Sequence, residues 1–254
     1  MEKSYYKEYY HLERNHWWFL ARAEILQAML KKHLSANGGG SLKILNVGAA
    51  TGGTSEWLEA YGAVTSLEYD EDCVQFLREE TSIEAIQGSL TDLPFPDDAF
   101  DAVCCFDVLE HLEDDQKGMQ ELYRVASPGG LVFLTVPAFM SLWSEHDVVN
   151  HHYRRYSMKE LMGVVKKAPF AVLQKSYFNF FLFTPIWLVR LFNRWVPLKR
   201  KSDSSSGSDF DIQSGSGWTN RLLYAIFSAE KPLLQTNLPL PFGVSILAVL
   251  KKPS

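Results

Sequence analysis

Gly48 and Gly52 bracket a run of small residues, Gly48-Ala49-Ala50-Thr51-Gly52, directly after the apolar segment Ile44-Leu45-Asn46-Val47. Small residues let a backbone approach a ligand closely, and glycine reaches turn dihedrals closed to other residues. Such a turn also serves as a plain connection from strand to helix, so alone it specifies no ligand. Glu68 stands 20 residues beyond Gly48, at the end of the next apolar segment. A carboxylate there can accept two hydroxyl hydrogens of a ribose. Asp70, Glu71 and Asp72 follow it, which makes a solvated acidic face the competing reading. Strand, small-residue turn, helix and distant acid together describe a nucleotide-binding unit, and more than one nucleotide cofactor uses it.

A second set of chemical side chains lies between residues 138 and 156. Trp143-Ser144-Glu145-His146-Asp147 is followed by His151-His152-Tyr153-Arg154-Arg155-Tyr156. Imidazoles titrate near neutral pH, so His146 and His152 are candidate general bases. Arg154 and Arg155 can hold an anionic group, and Tyr153 and Tyr156 add aromatic contact area. A structural or solvated role for any one of these histidines is the competing reading. Near the start, His16-Trp17-Trp18-Phe19 precedes Arg22. That cluster reads either as an aromatic staple or as a lid in which Trp17 and Trp18 meet substrate and Arg22 pairs with a carboxylate.

The elements that must position these residues alternate. Apolar positions at helical spacing predict a helix over residues 17–34. Strands are predicted over 42–47, 64–68, 83–87, 100–106 and 131–136, with helices near 55–61, 73–80 and 115–125 between them. Such alternation implies a parallel sheet covered on both faces. Ligands of such sheets bind outside the carboxyl ends of the strands, and the 138–156 loop leaves from one such end. Beyond it the pattern predicts a helix at 158–166, strands at 170–178 and 244–250, and a helix at 218–230. The expected fold class is α/β: a Rossmann-like, seven-stranded, mostly parallel sheet with helices on both faces. An N-terminal helix precedes it and a helical insertion interrupts it before the last strand. The expected organisation is an N-terminal helical lid (1–42), a core (43–180), an insertion (181–243) and a final core strand (244–254). The Ser/Gly-rich stretch 202–217 is expected to be mobile.

Gly88-Ser89-Leu90-Thr91-Asp92-Leu93-Pro94-Phe95-Pro96 closes the third strand, and Phe100 to Phe106 runs into Asp107-Val108-Leu109-Glu110-His111-Leu112. With these segments the chain resembles class I S-adenosylmethionine (SAM) dependent methyltransferases, and within them the bacterial type 11 and type 12 domains. The resemblance covers roughly residues 43–137. It implies SAM as cofactor, with the turn at Gly48, Ala49, Ala50 and Gly52 against the methionine part and Asn46 just before it. It implies Glu68 on the ribose, Tyr69 on the adenine face, and Ser89 and Leu90 at the adenine edge. Phe106, Asp107, Val108 and His111 would line the floor near the sulfonium. The chain departs from the family pattern at Asn46, where an acid is usual, at Ala50, where glycine is usual, and at Ser89, where Asp is frequent. The implied activity is methyl transfer to a small-molecule or lipid- or glycan-linked acceptor with an oxygen, nitrogen or carbon nucleophile. A non-catalytic SAM- or nucleotide-binding protein is the alternative. The segments around residues 93–101 and 108–112 argue against a nicotinamide-dependent oxidoreductase.

Bulk properties agree with an enzyme of this kind. The 254 residues are 46% hydrophobic and 22% charged, as in a folded globular protein. A formal charge of -5 argues against binding nucleic acid through phosphate neutralisation. Cys73, Cys104 and Cys105 form no ligand spacing, so no metal is expected and buried thiols in a reducing, cytoplasmic setting are. No signal peptide is expected at the N-terminus. Within residues 177–196, the stretch 177–189 is strongly apolar but short, and Asn179 and Pro185 interrupt it. That is short of the roughly 20 residues of a membrane span, and leaves substrate cover or a peripheral membrane contact as readings.

Overall fold

The computed structural model describes residues 5–34, 41–195 and 217–254. Seven strands form one sheet: β1 (Leu42–Val47), β2 (Gly62–Glu68), β3 (Ala85–Gln87), β4 (Phe100–Phe106), β5 (Ala126–Pro137), β6 (Ala171–Phe178) and β7 (Ser245–Lys251). Their order is β3-β2-β1-β4-β5-β7-β6. Only β7 runs antiparallel, against both β5 and β6. This is the mostly parallel α/β sheet that the alternating pattern predicts. The order reverses between β1 and β4, which are paired and parallel. A crevice opens at such a reversal, above the carboxyl ends of the strands.

Period-two alternation sorts each central strand between two cores. Leu45 and Val47 face one side with Cys105, Val132 and Leu134, covered by Met119 and Leu122 of α5 (Asp115–Val125) and Leu161 of α7 (Met158–Val165). Ile44 faces the other side with Cys104, Leu131 and Phe133. That side is covered by Ile25 and Met29 of α2 (Trp17–Leu34), Leu58 of α3 (Gly53–Leu58) and Phe227 of α9 (Gly217–Ser228). The adjacent cysteines therefore end in different cores, as the strand reading requires.

Three local features differ from the sequence expectation. A helix, α1 (Tyr5–Asn15), precedes α2. Its inward positions are tyrosines, which mask the apolar period. Strand β5 begins at Ala126 rather than 131, because Ser127 to Gly130 form a bulge where Gly129 has φ +79°. The 138–156 loop contains a short helix, α6 (Glu145–Val149), started by a capping box between Ser144 and Asp147.

Between β6 and β7 lie α8 (Phe183–Trp195), α9 and α10 (Lys231–Gln235). Among the described residues no helix is long and apolar enough to cross a membrane. The basic residues 199–201 and nearly all of the 202–217 stretch lie outside the described residues. Helix α4 (Glu71–Glu80) follows β2, with Asp70 as its cap.

Candidate active site

At the end of β1 the chain enters the small-residue turn. Gly48 has φ +76°, and a Cβ there would stand 2.5 Å from Val108 Cγ2. The position admits only glycine without rearrangement. Ala50 also has positive φ, +47°. An L-residue pays about 1 kcal/mol for that conformation. The turn holds it from both sides: the Ala50 N–H donates to Glu68 Oε2 at 2.8 Å, and Cys73 Sγ donates to the Ala50 carbonyl at 3.1 Å. Alanine thus occupies a glycine-type position because its peptide groups are pinned.

Glu68 ends β2. Its Oε1 accepts from the N–H groups of Tyr69 (2.8 Å) and Asp70 (3.1 Å). Burial pushes this carboxyl above its usual range, opposed by the three backbone donors. Tyr69 projects into solvent at the cavity rim, 75% exposed.

Asp107, just past β4, has φ +54°. Its N–H donates to the Thr135 carbonyl at 3.0 Å, and Thr135 Oγ1 donates to its carboxylate at 3.0 Å. Arg22 of α2 donates through Nη2 to Asp107 Oδ2 at 2.6 Å and to Thr135 Oγ1 at 2.9 Å. The guanidinium lies over the rings of Trp18 and Phe106, 5.4 and 5.6 Å from their centroids. Arg22 was expected to pair with a ligand carboxylate; here Nη2 is taken by the protein's own aspartate. The residue fixes the floor of the site from the lid side.

Helix α1 reaches the same turn. Glu13 Oε2 accepts from Thr51 Oγ1 and from the Gly53 N–H, the latter at 3.1 Å. Arg14 donates to the Thr51 carbonyl at 3.2 Å, and the Tyr6 hydroxyl donates to Asp70 Oδ2 at 2.8 Å. Sequence reasoning missed Tyr6, Glu13 and Arg14. They sit in a polar and aromatic helix with no motif, and only their contacts with the turn reveal them.

The 138–156 loop supplies the other wall. His152 Nδ1 lies 2.9 Å from Asp147 Oδ1, which also accepts from Arg155 Nε at 2.7 Å. Burial pushes Asp147 up, but the His152 hydrogen bond and the Arg155 charge outweigh it and hold the carboxyl below its usual range. The His111 and His152 rings meet edge to face at 4.5 Å, and His146 lies 6.1 Å from His152. Burial, and then the neighbouring His152, push His111 down to about 4. Glu110 is fully buried beside them, with neither carboxylate oxygen hydrogen-bonded to another residue. Burial, reinforced by the Asp107 charge, holds it well above the usual carboxylate range. The Ser144-to-Asp147 spacing could have revealed the buried aspartate; nothing in the sequence marked Glu110 apart from its neighbour His111.

One cavity of about 2160 Å³ joins these walls. Gly48, Ala50, Glu68, Tyr69, Ser89 and Leu90 line it, as do Phe106, Asp107, Val108 and His111. Trp17, Trp18, Arg22, His146, His152, Tyr153 and Arg155 line it too. Five expected residues do not. Asn46 points through the sheet, donating to Ser55 Oγ at 2.9 Å, and Ser55 in turn meets Ser66 at 2.8 Å. Its place in β1 puts it on the Ile44 side, toward α3. Ala49 packs with Val74 and Leu77, and Gly52 lies against Ile83. Arg154 pairs with Asp115 at 3.0 Å, and Tyr156 donates to the same carboxylate at 2.8 Å. Both fasten the loop to the start of α5 instead of facing the cavity. Ser89 lines the cavity, but its hydroxyl contacts Thr91 Oγ1 at 2.8 Å and closes a turn.

Comparison with known proteins shows what part of this chain resembles. Residues 45–134 match the methyltransferase domain family model. A "Probable S-adenosylmethionine-dependent methyltransferase" of Mycolicibacterium smegmatis is 32% identical over 126 residues, 45% of this chain and 49% of that one. A demethylmenaquinone methyltransferase of Clavibacter sepedonicus is 36% identical over 97 residues, 36% of this chain and 40% of that one. The chain thus spans half or less of the length of these curated relatives. A solved structure described as a sarcosine dimethylglycine methyltransferase from Galdieria sulphuraria superposes with a TM-score of 0.60 at 16% identity, over 92% of this chain and 86% of that one. Over residues 45–134 the chain is similar to SAM-dependent methyltransferases, and over nearly its whole length it shares the fold of solved methyltransferase structures.

Proposed function

We propose that this protein transfers a methyl group from SAM to a nucleophilic atom of a small-molecule or lipid- or glycan-linked acceptor. One observation carries the reading: Gly48, Glu68 and Asp107 share a single cavity with His111, His146 and His152. A nucleotide half and a proton-handling half face one space.

The residues present fit the cofactor. Backbone lies bare at Gly48, where any Cβ would strike Val108. The Glu68 carboxylate lines the cavity at the end of β2. When bound, SAM supplies a methyl group activated by its sulfonium. The chain does the positioning. Glu68 accepts the ribose hydroxyls, Tyr69 covers the adenine, and Ser89 and Leu90 border its edge. Phe106, Asp107 and Val108 form the floor, and Trp17 and Trp18 the lid. His152, oriented by Asp147, stands ready to take a proton from the acceptor, with His146 beside it.

The wall beyond the histidines is mostly apolar, interrupted by Arg190. Pro185, Ile186 and Val189 of α8 and Leu223 of α9 line it. On its outer face α8 exposes Leu188 and Phe192. These features favour an acceptor with an apolar part, presented at a membrane surface through residues 177–196. The quinone named in the Clavibacter relative is of that chemical kind.

Calorimetric titration with SAM, S-adenosylhomocysteine (SAH) and NAD tests the reading, followed by an acceptor screen with isotope-labelled methyl donor. Micromolar binding of SAM and SAH without NAD is the expected result. NAD binding in place of SAH would overturn it, and SAM binding without transfer to any acceptor class would leave a binding protein.

A further inference from the structure

The unpaired carboxylate of Glu110 is the least explained group in the site. A buried acceptor without a donor costs about 1–3 kcal/mol, more if charged, and native structures rarely leave one without an ion, a water or a function behind it. Here neither oxygen meets a donor from any other residue, in a fully buried side chain. His111 and His152 stand beside it. One oxygen of Glu110 and one nitrogen from each imidazole all lie within 4.8 Å of one another.

One of the two imidazoles is also prepared in the manner of a ligand. His152 uses Nδ1 on Asp147, which leaves Nε2 uncommitted to that bond. The backbone of Asn150 lies beside His111 and favours its protonated form. Metal-bound histidines nearly always give their second nitrogen to a carboxylate or a carbonyl, which fixes the ring and its tautomer. His152 shows the carboxylate pattern through Asp147.

We propose that Glu110, His111 and His152 bind one divalent transition-metal ion, of the zinc or manganese class, inside the cavity. Two imidazoles and a carboxylate suit such ions better than magnesium or calcium, which prefer all-oxygen shells. Three protein ligands leave at least one position for an exogenous oxygen, as at catalytic sites. The ion would supply the positive charge that the buried Glu110 lacks. Closing on an ion at about 2.0–2.2 Å needs the three side chains to draw together by rotation.

The ion's role, unlike its binding, rests on the methyl-transfer reading. It would hold a hydroxyl oxygen of the acceptor and lower its pKa, so that the proton leaves to solvent and the oxygen keeps the electron pair. No change of oxidation state is involved. The acceptor class this selects is a hydroxylated one, such as a phenol or hydroquinone. His152 would then act as a ligand and not as the base.

The test starts from protein stripped with a chelator. Titration with Co²⁺, read by visible absorption, and with Zn²⁺, read by calorimetry, should each give one site per chain. His111→Ala and Glu110→Gln should each weaken binding about a hundredfold or more, and Asp147→Asn about 10- to 100-fold. Circular dichroism and SAH titration of each variant show whether the fold and the nucleotide half survive. Absence of a cobalt spectrum in the wild-type protein overturns the proposal. So does wild-type metal affinity in a folded His111→Ala variant. Metal binding without SAH binding would keep the ion site and bring down the methyltransferase reading instead.

Discussion

Arg22 and Asp107 meet at 2.6 Å, and this one contact ties helix α2 to the tip of β4. Both side chains also hold Thr135. The triad sets the height of the cavity floor, and the aromatic rings of Trp18 and Phe106 flank the guanidinium. Arg22→Ala would leave Asp107 without its countercharge, close to the buried Glu110. A charge-assisted bond of this kind contributes about 1.5–3 kcal/mol. SAH affinity is expected to fall about tenfold, measured by calorimetry. Arg22→Lys should recover only part of it, because an ammonium does not reproduce the flat stacking between the rings. An unchanged affinity in Arg22→Ala would separate the triad from the cofactor site.

Gly48→Ala puts a methyl group 2.5 Å from Val108 Cγ2 at φ +76°. Clash and backbone strain act together, and a loss of about 1–3 kcal/mol in unfolding free energy is expected. SAH binding should disappear. Adding Val108→Ala removes the clash but not the strained dihedral. The double variant should therefore regain part of the stability by denaturant titration, and full recovery would show that the dihedral costs nothing.

Glu68→Gln keeps the shape of the side chain and removes its charge. Three backbone N–H groups now converge on it. An amide offers one oxygen where the carboxylate offers two, so one side of that cluster loses its acceptor. The expected outcome is SAH binding weaker by about 10- to 100-fold, with the far-ultraviolet circular dichroism spectrum retained. Wild-type affinity in Glu68→Gln would remove Glu68 from the nucleotide half.

Glu230 gives a stability prediction with a definite sign. It is fully buried, and one oxygen accepts from the Phe181 N–H at 3.1 Å. Burial raises its carboxyl from 4.5 to about 7, against the pull of backbone donors. The folded chain therefore binds this proton more tightly than the unfolded chain does. Its stabilising contribution is full below about pH 4.5 and is lost as pH rises to about 7. Glu230→Gln keeps an acceptor for Phe181 and removes the titration. At pH 8 it should unfold later than wild type, by up to about 3 kcal/mol, and near pH 4.5 the two should coincide. Thermal melts at both pH values decide it, and a difference that does not grow with pH would contradict it.

The sheet was readable from the sequence because its central strands β1, β4, β5 and β7 are buried on both faces and most strands are separated by periodic helices. Phe100–Phe106 and Asp115–Val125 match the expected limits residue for residue. The turn and Glu68 were readable because backbone geometry dictates residue type there. The direction of a side chain was harder. Asn46 sits in the expected strand, yet the alternation of β1 sends it to the α3 side, where Ser55 and Ser66 take it up. Arg154 and Arg155 are neighbours with opposite fates: one turns away from the cavity onto Asp115, the other lines the cavity while holding the buried Asp147 behind it. Local spacing carries no information about which carboxylate lies nearby in space. Helix α1 escaped for a related reason, since its contacts with Asp70 and Gly53 span 64 and 40 positions of chain.

Those same two contacts give α1 a kinetic meaning. Tyr6 fastens it to the loop after β2, and Glu13 fastens it to the turn after β1. A helix of eleven residues, riveted at both ends across the two loops, adds its own opening free energy to the escape barrier of whatever those loops enclose. Loosening either contact, by Tyr6→Phe or Glu13→Gln, should therefore speed the release of whatever those loops hold.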